Sequence, residues 1–339
     1  MSRKVAERHG LLAMEDRAWR GMLPQCLQVE RRKCVAVRSI LVAVGGVAMM
    51  YCRANLQLAM PMLPKISIVT PSFNQAQFLE RTITSVLDQG YANLEYIVID
   101  GGSTDGSVEI IRKYSNRLAY WTSEPDGGQS EAINKGLRRA TGDWVAWQNS
   151  DDVYYPGTFA GLARAITAHP GVHLITGDMV TIDVEDKKLH EHHYVRPTFG
   201  AIRAEGMIVA NQAAFWHKDV HKSIGYLSES LSCAFDYEWF LRVTKHFRAW
   251  HVPVTWGGLR LHDMTKTVQL AQRFTPEGDV VRAAYPFPSW KIPLYRLRRV
   301  MLMLMRGDAG HLIRRATGRF VSVAARETQQ RGKSERDPR

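Results

Sequence analysis

Four carboxylates, Asp100, Asp126, Asp151 and Asp152, each follow an apolar run closely enough to stand at the end of a strand. In open parallel sheets, ligands bind beyond the carboxyl ends of the strands, so these four would share one edge. Acids gathered there repel one another, and such a cluster calls for a cation. Oxygen donors with few histidines favour Mg2+ or Mn2+ over Zn2+. A lone Asp at a strand end is commonly a turn or cap residue, a reading that weakens as successive strands each supply one. Gly101, Gly102 and Gly106 follow Asp100 without the GxGxxG spacing of a dinucleotide fold, and no GxxxxGK[ST] loop occurs. Acids and a metal without a basic phosphate cradle suit a substrate whose diphosphate arrives with its metal.

The elements that must position these acids are legible from residue 65 onward. Ile66–Thr70 reads as a strand closed by Pro71. Asn74 could cap a helix to about Asp88, with Phe78, Leu79, Ile83, Val86 and Leu87 on one face. Strands at Leu94–Ile99, Leu118–Thr122, Trp144–Gln148 and Val172–Thr176 alternate with helices at Val108–Tyr114, Ser130–Ala140 and Pro156–Ala168. Near-continuous apolar strands between helices predict an α/β fold, a doubly wound, mostly parallel sheet covered on both faces. Beyond Gly177 the pattern turns irregular, with a helix at Phe235–Phe247 and a short strand at His251–Thr255.

The chain has 339 residues and a formal charge of +12, unevenly spread. Residues 1–59 carry +6 and residues 289–339 carry +9, leaving −3 for the body. A nucleic-acid-binding domain would hold its positive charge on the folded body, so no nucleic-acid partner is expected. The cysteines, Cys26, Cys34, Cys52 and Cys233, form no CxxC pair, which argues against a disulfide framework or structural zinc and for a reducing cytoplasm. The apolar run Ile40–Tyr51 lies between Arg38 and Arg53, with 14 residues between them. That is short of the roughly 20 a spanning helix needs. Residues 1–59 are expected to be a basic extension outside the working fold, with a natural chain start near Met60. Residues 60–288 form the catalytic domain, its first half about 65–177 and its second about 178–288. Residues 289–339 form a basic amphipathic helical tail. In it Leu294, Leu297, Met301, Leu304 and Met305 fall at helical spacing, with Arg296, Arg299 and Arg306 between them. Either that face rests on an anionic membrane surface, or it packs on the catalytic domain and leaves the arginines solvated.

The segment from Lys65 to about Phe159, and more loosely to about His262, resembles glycosyltransferase family 2 of the GT-A fold. The matching pieces are Ser67–Asn74, Ser85–Gln89, Asp100–Gly106, Glu124–Gln129 with Ala132–Gly136, Gly142–Asp143 and Asn149–Asp152, in that order. The resemblance implies transfer of a sugar, with inversion, from a nucleoside diphosphate sugar, a UDP-sugar first, to a hydroxyl of a sugar or lipid-linked acceptor in cell-surface glycan assembly. It implies that Pro71, Ser72, Phe73 and Asp100 line the nucleoside pocket, that Asp126 sits by the base or ribose, and that Gln129 and Asp151 contribute to donor binding. Asp151 and Asp152 match the metal-binding motif, with Asp152 preferred as the direct ligand and His262 as an additional contact to metal or diphosphate. Asp236 occupies the position of the catalytic base, with Glu238 as second choice; the competing reading makes Asp236 a helix N-cap. Two positions depart from the family pattern: Gly101 and Asn149 each stand where many members carry an acid.

Two rival readings remain. A nucleotidyltransferase would want a glycine-rich loop with a basic residue early in the chain, and Thr70–Asn74 has neither. A sugar-nucleotide binding module without activity would have lost the later acids, which are present. Neither a QxxRW motif nor a set of spanning segments occurs, which favours single addition over processive synthesis.

Overall fold

The computed structural model describes residues 63–263, 265 and 271–316. The proposed extension at 1–59, the run at 40–51 and the last residues of the tail lie outside the described residues. One sheet of nine strands runs β3-β2-β1-β4-β8-β6-β9-β5, with β7 paired to β6. Its first half is parallel: β1 (Ile66–Ser72) lies between β2 (Leu94–Asp100) and β4 (Trp144–Trp147), and β3 (Tyr120–Ser123) adds to β2. Every residue of β1 is buried, as its apolar run requires. β1 continues through Pro71, which the sequence reading placed as its end. The Gln148 N–H still donates to Val69 O, but β4 has stopped by the position opposite Pro71. By alternation the missing proline N–H faces that vacated side, so no ladder bond is lost.

The helices of this half pack as their periodicity demands. In α1 (Ala76–Leu87), Phe78, Leu79, Ile83 and Val86 are buried. Its cap differs from expectation. Asn74 lies outside the helix at φ +50°, and its side chain accepts from Thr104 N–H. Asp105, across in the loop after β2, accepts from Ala76 N–H and so does the capping from a distance. α2 (Ser107–Lys113), α3 (Gln129–Arg139) and α4 (Thr158–Ala168) follow in turn. α3 rests so closely on β1 that a Cβ on Gly136 would stand 2.3 Å from the Val69 side chain.

The second half is more regular than its sequence pattern suggested. β6 runs over Leu174–Ile182, well past Gly177, and β9 over Ala249–Arg260, far longer than the short strand expected. β8 (Ala214–His217) and β7 (Lys188–His192) pair antiparallel with successive parts of β6, and β5 (Val153–Tyr154) pairs antiparallel with β9. Glycine and proline disguised these strands. Pro253 falls where the β6–β9 register slips, a bulge that excuses its missing donor. Gly177 is required by contact: a Cβ there would come within 2.7 Å of the buried Trp256 indole.

Three helices of the second half matter for the site: α5 (Phe199–Glu205), α6 (Asp219–Ile224) and α7 (Phe235–His246). The chain then forms α8 (Ala271–Ala284), α9 (Ile292–Met305) and α10 (Ala309–Ala316). α9 packs on α5, and its polarity overturns the alternative in which the apolar face turns inward. Arg299 pairs with Glu205, and Arg306 with Asp178 and Asp308. Two arginines of the basic tail thus neutralise buried acids of the body. Among the described residues no helix is long and apolar enough to cross a membrane.

Candidate active site

The ends of β1 and β4, the loop after β2, and the start of α7 open onto one cleft of about 770 Å³. Pro71, Ser72, Phe73, Asp126, Gln129, Asp151, Asp152 and Asp236 all line it. Sequence reasoning thus brought residues separated by 165 positions to one cavity. Asp100, Glu238 and His262 do not line it.

Asp100 is fully buried at the end of β2. Its carboxylate accepts from the N–H groups of Gly102 and Ser103 and from the hydroxyls of Ser103 (2.6 Å) and Ser123 (2.7 Å). Four donors leave it organising the loop rather than walling the cleft, where Gly101 takes its place. Gly101 is itself explained by space: an added Cβ would lie 2.9 Å from the Asp126 carboxylate. The acid missing at 101 therefore leaves room for Asp126, which also accepts from Gly128 N–H. Phe73 is 61% exposed at the cleft mouth.

The neighbours Asp151 and Asp152 have opposite surroundings. Asp152 is fully buried. One oxygen accepts from Arg260 N–H at 2.9 Å, the other from the amides of Asn149 (2.9 Å) and Gln212 (2.8 Å). Burial and the adjacent Asp151 push its carboxyl up to about 8, against the pull of those three donors. Every partner found for it donates, which is what an ionised carboxylate needs, so we read it as held ionised by geometry. Asp151 instead meets His262, with Nε2 3.0 Å from Oδ2. The His262 ring lies 4.5 Å from the Phe78 ring and is nearly buried, so it is not a surface histidine. Asp152, expected as the direct metal ligand, thus has both oxygens engaged by donors, whereas Asp151 is engaged by His262.

Gln129, expected to contribute to donor binding, and Asn149, Arg260 and Gln212 position these groups. Gln129 donates to Asn149, which passes the chain of amides on to Asp152. Asn149 can donate where an acid could not. Arg260, 1% exposed, holds Asp151 through its backbone oxygen, pins the turn after β6 at Asp183 and Val184, and pairs with Asp186. Gln212 reaches Asp152 because Gly257 admits the turn that carries it: a Cβ at 257 would stand 2.1 Å from Gln212 O. The paired glycines at 257 and 258 were the one available signal.

Asp236 opens α7 inside the cleft. Glu238 is turned away into a bidentate pair with Arg242 (2.8 Å) and a bond from Tyr285 (2.9 Å). Glu277 from α8 accepts from the N–H groups of Ser232, Cys233 and Ala234, fixing the segment directly before Asp236. Two buried polar atoms of the cleft wall, Ser72 Oγ and Asn211 Nδ2, have no hydrogen-bond partner in the protein. Such atoms are costly to bury unless something else binds them.

Acids and unpaired polar atoms thus line a cleft at the edge of a parallel sheet. The family model described as glycosyl transferase family 2 matches residues 67–226. A glycosyltransferase of Mycobacterium tuberculosis is 33% identical over 184 residues, covering 53% of this chain and 68% of its own. TuaG of Bacillus subtilis, named for teichuronic acid biosynthesis, is 40% identical over 92 residues, 26% of this chain and 36% of its own. The chain spans about two thirds of the length of the first curated relatives it matches, 66% for one from Rickettsia typhi. S. aureus TarS 1-349, solved in complex with UDP-GlcNAc, superposes with a TM-score of 0.50 at 20% identity, over 58% of this chain and 59% of that one; this likeness speaks to the fold. The chain belongs to glycosyltransferase family 2, with the GT-A fold.

Proposed function

We propose that the protein transfers a sugar from a nucleoside diphosphate sugar, a UDP-sugar in the first instance, to an acceptor hydroxyl with inversion, within cell-surface polysaccharide assembly. The observation that carries the reading is the cleft holding Asp236 on one wall and Asp151, backed by His262, on another. UDP-GlcNAc in TarS and teichuronic acid in the name of TuaG support the donor and the setting.

Among the described residues no three His, Cys, Asp or Glu side chains gather as a metal cluster. A Mg2+ or Mn2+ carried on a diphosphate does not need three, because phosphate and water complete its shell. Asp151 and His262 fit that partial role and would hold the ion, whose chemistry is to neutralise charge on the departing diphosphate. Asp152, Asn149, Gln212 and Arg260 keep Asp151 in place. Asp236 accepts the acceptor hydroxyl proton as that oxygen bonds to the anomeric carbon and the bond to the diphosphate oxygen breaks. Ser72 and Asn211 offer hydrogen bonds to the donor. Purified protein, a panel of nucleotide sugars and Mn2+ test this: nucleoside diphosphate is released from one donor and the release stops in excess EDTA. Release from none of the donors would defeat the reading, and undiminished release in EDTA would remove the metal from it.

A further inference from the structure

We propose that the outward face of α9, continued at Ile313 of α10, docks on an anionic lipid bilayer. Leu294, Leu297, Met301, Leu304 and Met305 lie along one stripe of α9 and are each between 53% and 82% exposed. Trp290 just before the helix and Ile313 beyond it, both more than 60% exposed, extend the stripe at its two ends. Single exposed apolar residues are ordinary; seven on one short hairpin are not. Nothing forces them outward for want of a core, because Met303 on the opposite side is fully buried.

The charges say what covers the stripe. Arg299 and Arg306 are spent on Glu205 and Asp178, so they do not serve the outer face. Lys291 lies by Trp290 at the start of the stripe, and Arg296 is exposed in the first turns of the same helix. Residues 289–339 carry +9 in all. Two copies of so basic a segment would repel one another, whereas an anionic surface attracts it. A convex helix also offers no groove to a peptide but can sink its apolar side into a lipid interface. α9 has 14 residues. At 1.5 Å each that is about 21 Å, too short to cross a hydrocarbon core of about 30 Å, so it lies on the surface.

The face is tied to the cleft. Arg306, at the end of α9, donates to Tyr194 O, and Tyr194 lines the cleft with Met179 and Met207. Docking through the outer side of α9 would hold the cleft near the bilayer with α9 between them, which suits a lipid-linked acceptor; this last step rests on the sugar-transfer reading, the docking does not.

The test is co-sedimentation of the full chain with vesicles of phosphatidylcholine, with and without phosphatidylglycerol. Wild type binds the anionic vesicles at low salt, and the triple variant Leu297→Ser/Met301→Ser/Leu304→Ser loses about tenfold or more in affinity. Arg296→Glu, which alters no packed residue, weakens binding to the anionic vesicles specifically. Wild-type protein that stays in the supernatant at low salt, or a triple variant that binds as well as wild type, overturns the proposal. So does a wild-type dimer, inert to vesicles, that the triple substitution converts to monomer. Donor turnover measured without vesicles separates the two readings: vesicle binding with these dependences and no turnover of any donor leaves docking standing and defeats the proposed transfer.

Discussion

The two halves of this protein hold their parts of the site by different physics. Up to β4 the framework is hydrophobic: β1, β2 and β4 are apolar runs, and their side chains fill the space between sheet and helices. From β6 onward charged side chains, some of them buried, do much of the holding, with Arg260 against Asp186, Arg306 against Asp178, and Glu277 across the start of α7. Apolar packing is forgiving of conservative change. A buried charge is forgiving only while its partner remains. The half that presents Asp236 should therefore be the more brittle one.

The largest effect tests the site that the two halves share. Asp236→Asn should lower kcat by about 10³-fold while donor affinity changes only a few-fold, since the lost proton acceptor acts on the acceptor. Steady-state kinetics beside donor binding by calorimetry would read this. A wild-type turnover would move the base elsewhere.

Stability comes next and addresses the comparison directly. Arg260→Met should cost about 3 kcal/mol, because it leaves the backbone oxygens of Asp151, Asp183 and Val184 without their donor, while Asp186 keeps Arg81. In the first half, Ile97→Val, at an equally buried site, should cost only about 1 kcal/mol. Chemical denaturation of both variants decides; equal losses would erase the contrast.

The smallest effect is one of pH. His221 on α6 accepts from the Trp216 indole N–H at 2.8 Å through Nε2 and faces Gly225 O through Nδ1. It has no place for a second proton, and burial pulls it down to about 4. The unfolded chain binds that proton from about pH 6.5 downward and the folded chain only near 4, so stability is full above 6.5 and falls between the two. Glu95 in the first half behaves differently. Burial raises it, but bonds from Lys65, Ser67 and Thr141 outweigh burial and bring it down to about 2, so its contribution persists until pH falls below about 4.5. His221→Gln, whose amide can both accept and donate there, should flatten the melting temperature between pH 6.5 and 4.5 relative to wild type. An unchanged pH dependence would assign the loss to other groups.

The same contrast sets how much was legible in the sequence. The strands and helices before residue 170 appear where apolar runs and periodicity place them, to within a residue or two, because hydrophobic pattern is a local property. β9 was mostly missed, since Pro253, Gly257 and Gly258 read as breaks until their partners are known. The acids of the cleft could be named from type and position. How Asp151 and Asp152 differ in their partners could not, because Gln212 and Arg260 reach Asp152 from 60 and 108 residues away. The direction of α9 was illegible for the same reason: Glu205 and Asp178 choose its inner face.

The pairing of Asp178 with Arg306 joins residues 128 positions apart. At ordinary rates of translation, the acid leaves the ribosome on the order of 10 s before the arginine that neutralises it. For that interval the carboxylate has only the His251 ring and the Tyr194 N–H for partners. The second half thus completes its charge pairing only when α9 has emerged. A premature stop before codon 306 leaves a buried acid short of its guanidinium, a loosened state of the kind that cellular proteases and chaperones recognise.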